Sequence, residues 1–404
     1  MAWYDLFRRE SPNLRAVIDV GSHSIKTVVF SAGGARLPVG QGSVFGGEMS
    51  GNIAVPKPKI IKKTAFKFSS APDPARVVTQ LREILFSTLK ELGRVPSVIT
   101  IALGAYLADT SLATWTVGGN LPKKNSVSRR ELGIYFQNLF EQKHDSGRAL
   151  VAYPLGVLMN EYRIIPRSAQ EKIPVKGAVG FQTMLLYFQG EIGTALASAK
   201  QSLGGLPIEF MPLAATYQES IPKGLGIADA FLIDIGGEET ALALLKDGAI
   251  AQVASFPFGA HHFVRGTAKT LSISFDEADD LKRQYAAGGV GVVKKSELGL
   301  FLKEEAEHWK KMFLSSLDSF YATGPLPARV LLFGGGAYLA EIADAVRKPD
   351  WIGGFSYVSS PEVQILRAEN FFGGETLGGF LTGPEDAGLA SLIVYSRDHA
   401  PLFG

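Results

Sequence analysis

The chain has 404 residues, 46% of them apolar and 20% charged, and a formal net charge of +2. That length suits two lobes with separate cores better than one domain, and the near-neutral balance gives no electrostatic argument for nucleic acid as a partner. There is no cysteine, so disulfide frameworks and thiolate chemistry are excluded, and no apolar run reaches membrane-spanning length or forms a secretory core.

The first segment, Met1-Ala-Trp-Tyr-Asp-Leu-Phe-Arg-Arg-Glu, places Trp3, Leu6 and Phe7 at helical i, i+3, i+4 spacing with Arg8 and Arg9 beside them. Two readings stay open. A short interfacial helix would rest its aromatics at a lipid headgroup boundary while the arginines meet anionic lipid; a terminal turn would pack them on the first lobe.

Two hairpins follow the same pattern a little over two hundred residues apart. Residues 16–18 form an apolar run that reaches Asp19, turns on Val20-Gly-Ser-His-Ser24 and returns through Ile25-Lys26. Residues 231–233 reach Asp234, then Ile235-Gly-Gly-Glu-Glu-Thr240. Each predicts a strand, a tight turn and a second strand, with the carboxylate at the end of the first. Glycine lets backbone N–H groups approach an anion, and such a concavity cradles phosphate oxygens. The two aspartates are candidates to hold a metal ion through water, and Lys26 adds a cation. Two such hairpins imply two similar lobes facing each other across a nucleotide.

Between them, residues 36–72 are rich in Gly, Pro and Lys, with a strand signal at 64–68. A helix then begins at Asp73-Pro74, where Asp caps and Pro suits the first position. Its apolar stripe is Val77, Val78, Leu81, Ile84, Leu85 and Leu89, and Gly93 ends it. Residues 97–103 read as a buried strand, after which the alternation breaks. Residues 106–190 read as an insertion: a Ser/Thr-rich segment, a helix over 128–143 capped by Ser128, and strands at 149–162 and 180–188. A helix at 193–203 and a strand at 206–210 return the chain to the first lobe. The second lobe opens at Phe231 and is interrupted by a mostly helical segment, 264–311. The run Val330-Leu-Leu-Phe-Gly-Gly-Gly-Ala-Tyr338 again carries a strand into a Gly turn and a helix. Adjacent His261 and His262 would point to opposite faces of a strand and offer no metal cluster.

In this order the parts resemble the actin-like ATPase superfold and, more narrowly, the bacterial cell-division protein FtsA, with the pilus-assembly protein PilM as a near neighbour. The resemblance implies an α/β fold of two lobes, each a mixed sheet flanked by helices, with a small α+β subdomain inserted in the first. The lobes would be 1–105 with 191–230, and 231–383, around an inserted 106–190; a connecting helix and tail would occupy 384–404. Asp19, Gly21, Ser22, Ser24 and Lys26 are similar to the first phosphate loop, and Asp234, Gly236, Gly237 and Thr240 to the second. Gly334, Gly335 and Gly336 look like the adenosine motif. Asp279 and Lys282 match residues that approach ribose and base, although at i, i+3 they also suit an ordinary helix-surface pair. ATP and Mg2+ are the implied cofactors, with Asp19 and Asp234 nearest the metal. The implied partners are an FtsZ-like tubulin homologue, other division proteins, further copies of the chain in a polymer, and the inner face of the cytoplasmic membrane. In the family, the insertion serves protein contacts, and nucleotide contact by it is not expected here.

Two departures shape the mechanism. The family's second loop continues Gly-Thr, a variable residue and Asp, whereas this chain has Glu238, Glu239, Thr240 and Ala241. Carboxylates facing a triphosphate repel it unless a cation intervenes, and no residue stands out as a base for hydrolysis. A weakly or non-hydrolysing scaffold is therefore expected; a sugar or acetate kinase of the same superfold is the alternative, although the insertion shows no polar catalytic cluster. The second departure is the tail, Ala400-Pro-Leu-Phe-Gly404, which is too short for the family's amphipathic membrane helix. That shifts the expected anchor to Trp3, Leu6, Phe7, Arg8 and Arg9, or to a partner. Each large side chain fully buried at an interface contributes about 1.5–3 kcal/mol, less the cost of ordering the terminus, so single copies should bind transiently and polymers firmly. Assembled protein should sediment with anionic liposomes, and Trp3→Glu combined with Phe7→Glu should release it; full sedimentation of the double variant would place the anchor elsewhere.

Overall fold

The computed structural model describes residues 10–32, 57–68, 72–117, 126–143, 150–159, 162–164, 172–174, 177–188, 191–202, 206–289, 292–347 and 356–398. Trp3, Leu6, Phe7, Arg8 and Arg9 lie outside them. Among the described residues no helix is long and apolar enough to cross a membrane.

The first hairpin is β1 (Glu10–Val20) against β2 (Ser24–Ser31), with Asp19 opposite Lys26. The third strand, β3 (Lys59–Lys67), is longer than its sequence signal. The helix α1 (Pro74–Leu92) forms as its punctuation predicts: Asp73 accepts from the Arg76 N–H, and Gly93 closes it at φ 62°. It carries the chain to β4 (Val95–Leu103), parallel to β1.

The chain then builds a separate sheet. Strands β5 (Ala108–Thr116), β7 (Leu150–Met159), β8 (Tyr162–Ile164) and β10 (Val179–Phe188) are antiparallel in the order β5-β10-β7-β8, and β6 (Ser126–Val127) pairs with β9 (Ile173–Pro174). Against it lies α2 (Arg129–Lys143), opened by a reciprocal cap in which Glu131 accepts from the Ser128 N–H while Ser128 Oγ accepts from the Glu131 N–H. Trp115, Leu132, Phe136 and Phe181 give this unit its own core. The return is α3 (Ile192–Ser202), β11 (Ile208–Pro212) and α4 (Leu213–Leu225), and the first-lobe sheet reads β11-β4-β1-β2-β3.

The second lobe repeats that pattern. Strands β12 (Ala230–Ile235), β13 (Thr240–Lys246) and β14 (Ala249–Phe256) are antiparallel neighbours, while β15 (Arg329–Phe333) and β16 (Glu362–Ile365) add in parallel, giving β14-β13-β12-β15-β16. The crossover to β15 is α5 (Ala260–Leu271), α6 (Phe275–Ala286) and α7 (Val292–Leu317). It is longer at both ends than the hydrophobic pattern suggests. His261 and His262 therefore sit in the first turn of a helix and not on a strand, because the chain turns at Gly259. The second-lobe elements close with α8 (Ala340–Arg347), and α9 (Ala387–Asp398) then runs back between the lobes.

Leu389, Ala390, Leu392, Ile393 and Val394 of α9 are all fully buried, and a helix apolar all round belongs in a core. Polar contact with α4 is made at Ser391, whose Oγ lies 2.6 Å from both Thr216 Oγ1 and Ser220 Oγ. Next to it, Gln218 of α4 joins three units. Its Nε2 donates to the Leu155 carbonyl of the inserted sheet at 2.7 Å, and its Oε1 accepts from the Ile250 N–H of the second lobe at 3.2 Å.

Candidate functional site

The equivalent ends of β1 and β12 meet in one cavity of about 760 Å³. The turn after β1 is closed by the Gly21 N–H donating to the Ser24 carbonyl at 3.0 Å, and that after β12 by Gly236 N–H to the Glu239 carbonyl at 2.9 Å. Of the residues singled out from sequence, Asp19, Gly21, Ser22, Ser24, Lys26, Asp234, Gly236, Gly237, Asp279, Lys282, Gly334 and Gly335 line this cavity. Thr240 and Gly336 do not. The Thr240 hydroxyl is fully buried on the far side of its strand, donating to the Phe258 carbonyl at 2.7 Å and accepting from Trp309 Nε1 at 2.9 Å. Gly336 faces inward too.

The three consecutive glycines have different roles. A Cβ on Gly334, whose φ is 84°, would lie 2.4 Å from the Ile235 carbonyl oxygen, and one on Gly336 would lie 2.2 Å from Ile235 Cγ2. Those two seat the turn against β12. A Cβ on Gly335 meets nothing within 4 Å, so of the three this is the position where a side chain has room.

Both aspartates are held at a cost. Burial pushes Asp19 up to about 6; Lys26 opposes that rise and Asp386 adds to it. Burial, then the neighbouring Asp19, pushes Asp234 up to about 7, against a hydrogen bond from Tyr217, whose hydroxyl donates to Asp234 Oδ2 at 3.1 Å. Among the described residues no group of three or more His, Asp or Glu side chains is arranged to hold a metal ion alone. Two carboxylates do fit Mg2+, which keeps several waters and takes one or two carboxylates with substrate phosphates.

Sequence reading missed Asp386 and Lys63. Asp386, buried before α9, pairs with Lys26 at 3.1 Å and Lys63 at 2.5 Å, and Lys26 also donates to the Glu385 carbonyl. Burial works against the ionised form, but the two lysines hold Asp386 below its usual range. Lys26 is thus tethered at the cleft wall by a carboxylate that a phosphate would have to outcompete. The only sequence signal was the acidic pair preceding α9, which reads equally well as a helix cap.

The two glutamates of the second loop do not jointly repel an anion. Glu238 turns away and accepts from both Arg265 Nη1 and Nη2, at 2.7 and 2.9 Å, and lies 2.8 Å from His261 Nδ1. Burial opposes its ionised form, and His261 and Arg265 outweigh burial, bringing it down to about 2. Glu239 does line the cavity, but burial pushes it up to about 8 despite a hydrogen bond from the Tyr106 backbone, so near neutral pH it carries its proton. Tyr106 and Thr110 also line the cavity. The start of the inserted unit therefore touches the site, contrary to the expectation that the insertion stays clear of it.

Asp279 and Lys282 are not a solvated surface pair. Both are only 7% exposed, 2.9 Å apart, and point into the cavity. Burial opposes the Asp279 carboxylate, but Lys282 and Arg283 hold it well below the usual range. The cavity wall thus carries Lys26, Lys63, Lys67, Lys282, Arg283 and Arg367 against acids of which Asp234 and Glu239 ionise only near or above neutrality. An anion is the favoured guest.

Two lobes of repeated topology, with a carboxylate-bearing glycine turn from each facing one cleft, define a protein of the actin-like fold. Residues 231–370 match the family Cell division protein FtsA. This chain accordingly has the actin-like fold, and the part of it that is similar to FtsA lies in the second lobe. Among solved structures, the PilM-PilN type IV pilus biogenesis complex is 16% identical with a TM-score of 0.60, covering 96% of this chain and 100% of that one. The ethanolamine utilization protein EutJ from Carboxydothermus hydrogenoformans is 14% identical with a TM-score of 0.47, covering 100% and 94%. MreB5 of Spiroplasma citri bound to ADP is 12% identical with a TM-score of 0.46, covering 95% and 96%. No curated protein matches the chain.

The raised aspartates predict a pH signature. A carboxyl whose folded pKa exceeds its unfolded value leaves the native state holding more protons, so stability falls as pH rises from about 4, and the penalty is complete above the folded value. Asp234→Asn, which keeps an acceptor for Tyr217, should be more stable than the parent at pH 8 without nucleotide or metal, by at most roughly 4 kcal/mol. The gap should close near pH 4. Urea denaturation at several pH values checks this; a gap that widens on acidification contradicts it.

Proposed function

We propose that this protein is an FtsA-like scaffold that binds ATP with Mg2+ in the interlobe cleft, with Asp19 and Asp234 nearest the metal. It polymerises and links a ring of an FtsZ-like tubulin homologue, and later division proteins, to the inner face of the cytoplasmic membrane. The observation that carries the nucleotide reading is the pairing of Asp19 and Asp234 in one cavity with a basic wall, roofed by Gly335. Glu239, which carries its proton up to about pH 8, is a poor base at neutral pH, in keeping with slow or absent hydrolysis. In this reading the inserted residues 106–190 present a surface to partners, while residues 1–105 with 191–230, residues 231–383 and the closing segment 384–404 form the nucleotide-dependent frame.

Gly335→Arg is the decisive variant. A side chain there meets open space, so the fold should tolerate it while the guanidinium fills the cleft. ATP affinity should fall at least tenfold, about 1.4 kcal/mol, by calorimetry; unchanged affinity would remove the adenosine role from this turn.

A second reading is a PilM-like role in pilus assembly, with a PilN-type partner. It is favoured by the PilM-PilN structure, whose likeness spans nearly the whole chain, whereas the FtsA match covers residues 231–370. Co-pelleting with FtsZ-type filaments in the presence of ATP is the expected result. Capture of a PilN-type peptide with no filament binding would select the second reading instead.

A further inference from the structure

Two imidazoles from different lobes meet on the wall of the cavity. His23 stands in the turn after β1 and His261 in the first turn of α5, and both line the cavity. His23 Nδ1 lies 2.7 Å from His261 Nε2, with the rings edge-on and their centroids 4.9 Å apart. Gly237 lets them approach: a Cβ there would lie 3.1 Å from both His23 Cβ and His261 Cε1.

The surroundings fix which nitrogen carries each proton. His261 is 1% exposed, and its Nδ1 lies 2.8 Å from Glu238 Oε1. A carboxylate only accepts, so His261 Nδ1 carries the proton and Nε2 keeps its lone pair. The contact between the rings then has His23 Nδ1–H donating into that lone pair. Glu238 is itself held by Arg265 through two hydrogen bonds, at 2.7 and 2.9 Å. An imidazole whose one N–H rests on a fixed carboxylate, and whose other nitrogen presents a lone pair, is oriented as metal-ligating histidines are.

We propose that His261 Nε2 and His23 Nδ1 form a site for one divalent transition-metal ion of the kind imidazole prefers, such as zinc. The ion takes the place of the proton between the rings, and that proton passes to His23 Nε2, so both ligands stay neutral. Zinc–nitrogen bonds of about 2.0–2.1 Å at a tetrahedral angle put the two nitrogens about 3.3 Å apart, so the rings part by roughly 0.6 Å from their present 2.7 Å. His23, in a half-buried turn, supplies that movement while His261 stays on Glu238. Among the described residues no third imidazole or carboxylate completes the set. The remaining coordination positions therefore belong to water or to an anionic guest of the cavity. The Asp19–Asp234 pair suits Mg2+, a hard ion that takes oxygen ligands, whereas imidazole selects zinc, nickel or copper. The two sites thus want different ions, and the histidine site stands whether or not the guest is a nucleotide.

Zinc alone is the probe, titrated calorimetrically into nucleotide-free protein with Mg2+ in excess to occupy the aspartates. One zinc should bind per chain, and His23→Ala should weaken it at least tenfold. Glu238→Gln keeps an acceptor for His261 but removes the charge, and should weaken binding by roughly 10–100-fold. Side-chain 15N NMR adds a readout that a site elsewhere on the surface would not move. Both rings should be protonated at Nδ1 before zinc, and His23 at Nε2 after it. No zinc binding in excess Mg2+, or equal binding by the parent and His23→Ala, overturns the site. An unmoved His23 tautomer in the zinc-loaded parent overturns it as well. Should His23→Ala fold poorly, His23→Gln removes the ligand while keeping a polar side chain, and the NMR readout needs no variant.

Discussion

Two carboxylates buried at the ends of the two central strands are the constraint around which this protein is organised. An ionised group removed from water costs several kcal/mol unless it is paired or shifts its pKa. Asp234 leans on the Tyr217 hydroxyl and Asp19 on the field of Lys26, and both still rise toward neutrality. The lysines that would relieve them are held by Asp386. The two carboxylates therefore concentrate electrostatic demand at the centre of the cleft, which a cation with anionic ligands would meet. Stability and ligand binding are coupled through those two side chains, because whatever neutralises them also holds the lobes together.

Repeated topology explains why the carboxylates face each other. In each lobe the central strand is antiparallel to its hairpin partner and parallel to the strand after the crossover. The Gly turn thus lands at the same corner of each sheet. With α9 packed against α4 and running between the lobes, those corners are brought to a common cleft. The polar contacts in that packing are short Ser and Thr hydroxyls that satisfy one another within the helix pair, as burial of such groups demands.

Local sequence rules located the elements well where the determinant was local. Asp73 and Gly93 bounded α1, Ser128 and Glu131 opened α2, and the two Asp-Gly hairpins formed in register. The reading failed where a side chain's environment came from distant chain. Thr240 sits in a motif that invites a phosphate, yet its hydroxyl is taken up by Trp309, 69 residues away. Gly336 looks like a ligand contact and is instead required by the approach of Ile235. The orientation of Glu238 depends on Arg265 and His261, and no periodicity in the sequence announces that bond. His261 itself was read on a strand period because the helix begins earlier than the hydrophobic pattern does. The aromatic and basic terminus, including Trp3 and Phe7, lies outside the described residues.

The inserted sheet is fastened on two sides. Tyr153 meets Tyr395 of α9 through their hydroxyls, while Gln182 Nε2 donates to the Ile250 carbonyl of the second lobe at 2.8 Å, and Gln218 reaches both the sheet and that lobe. A relative rotation of the lobes must break one of these bonds or carry the sheet with it. Mechanically the sheet is an arm mounted on the pivot, and its far edge is β8, where the Tyr162 ring is 80% exposed. Small angular changes at the cleft become larger displacements at that edge, so a neighbour gripping it would register the angle between the lobes while remaining remote from the ligand.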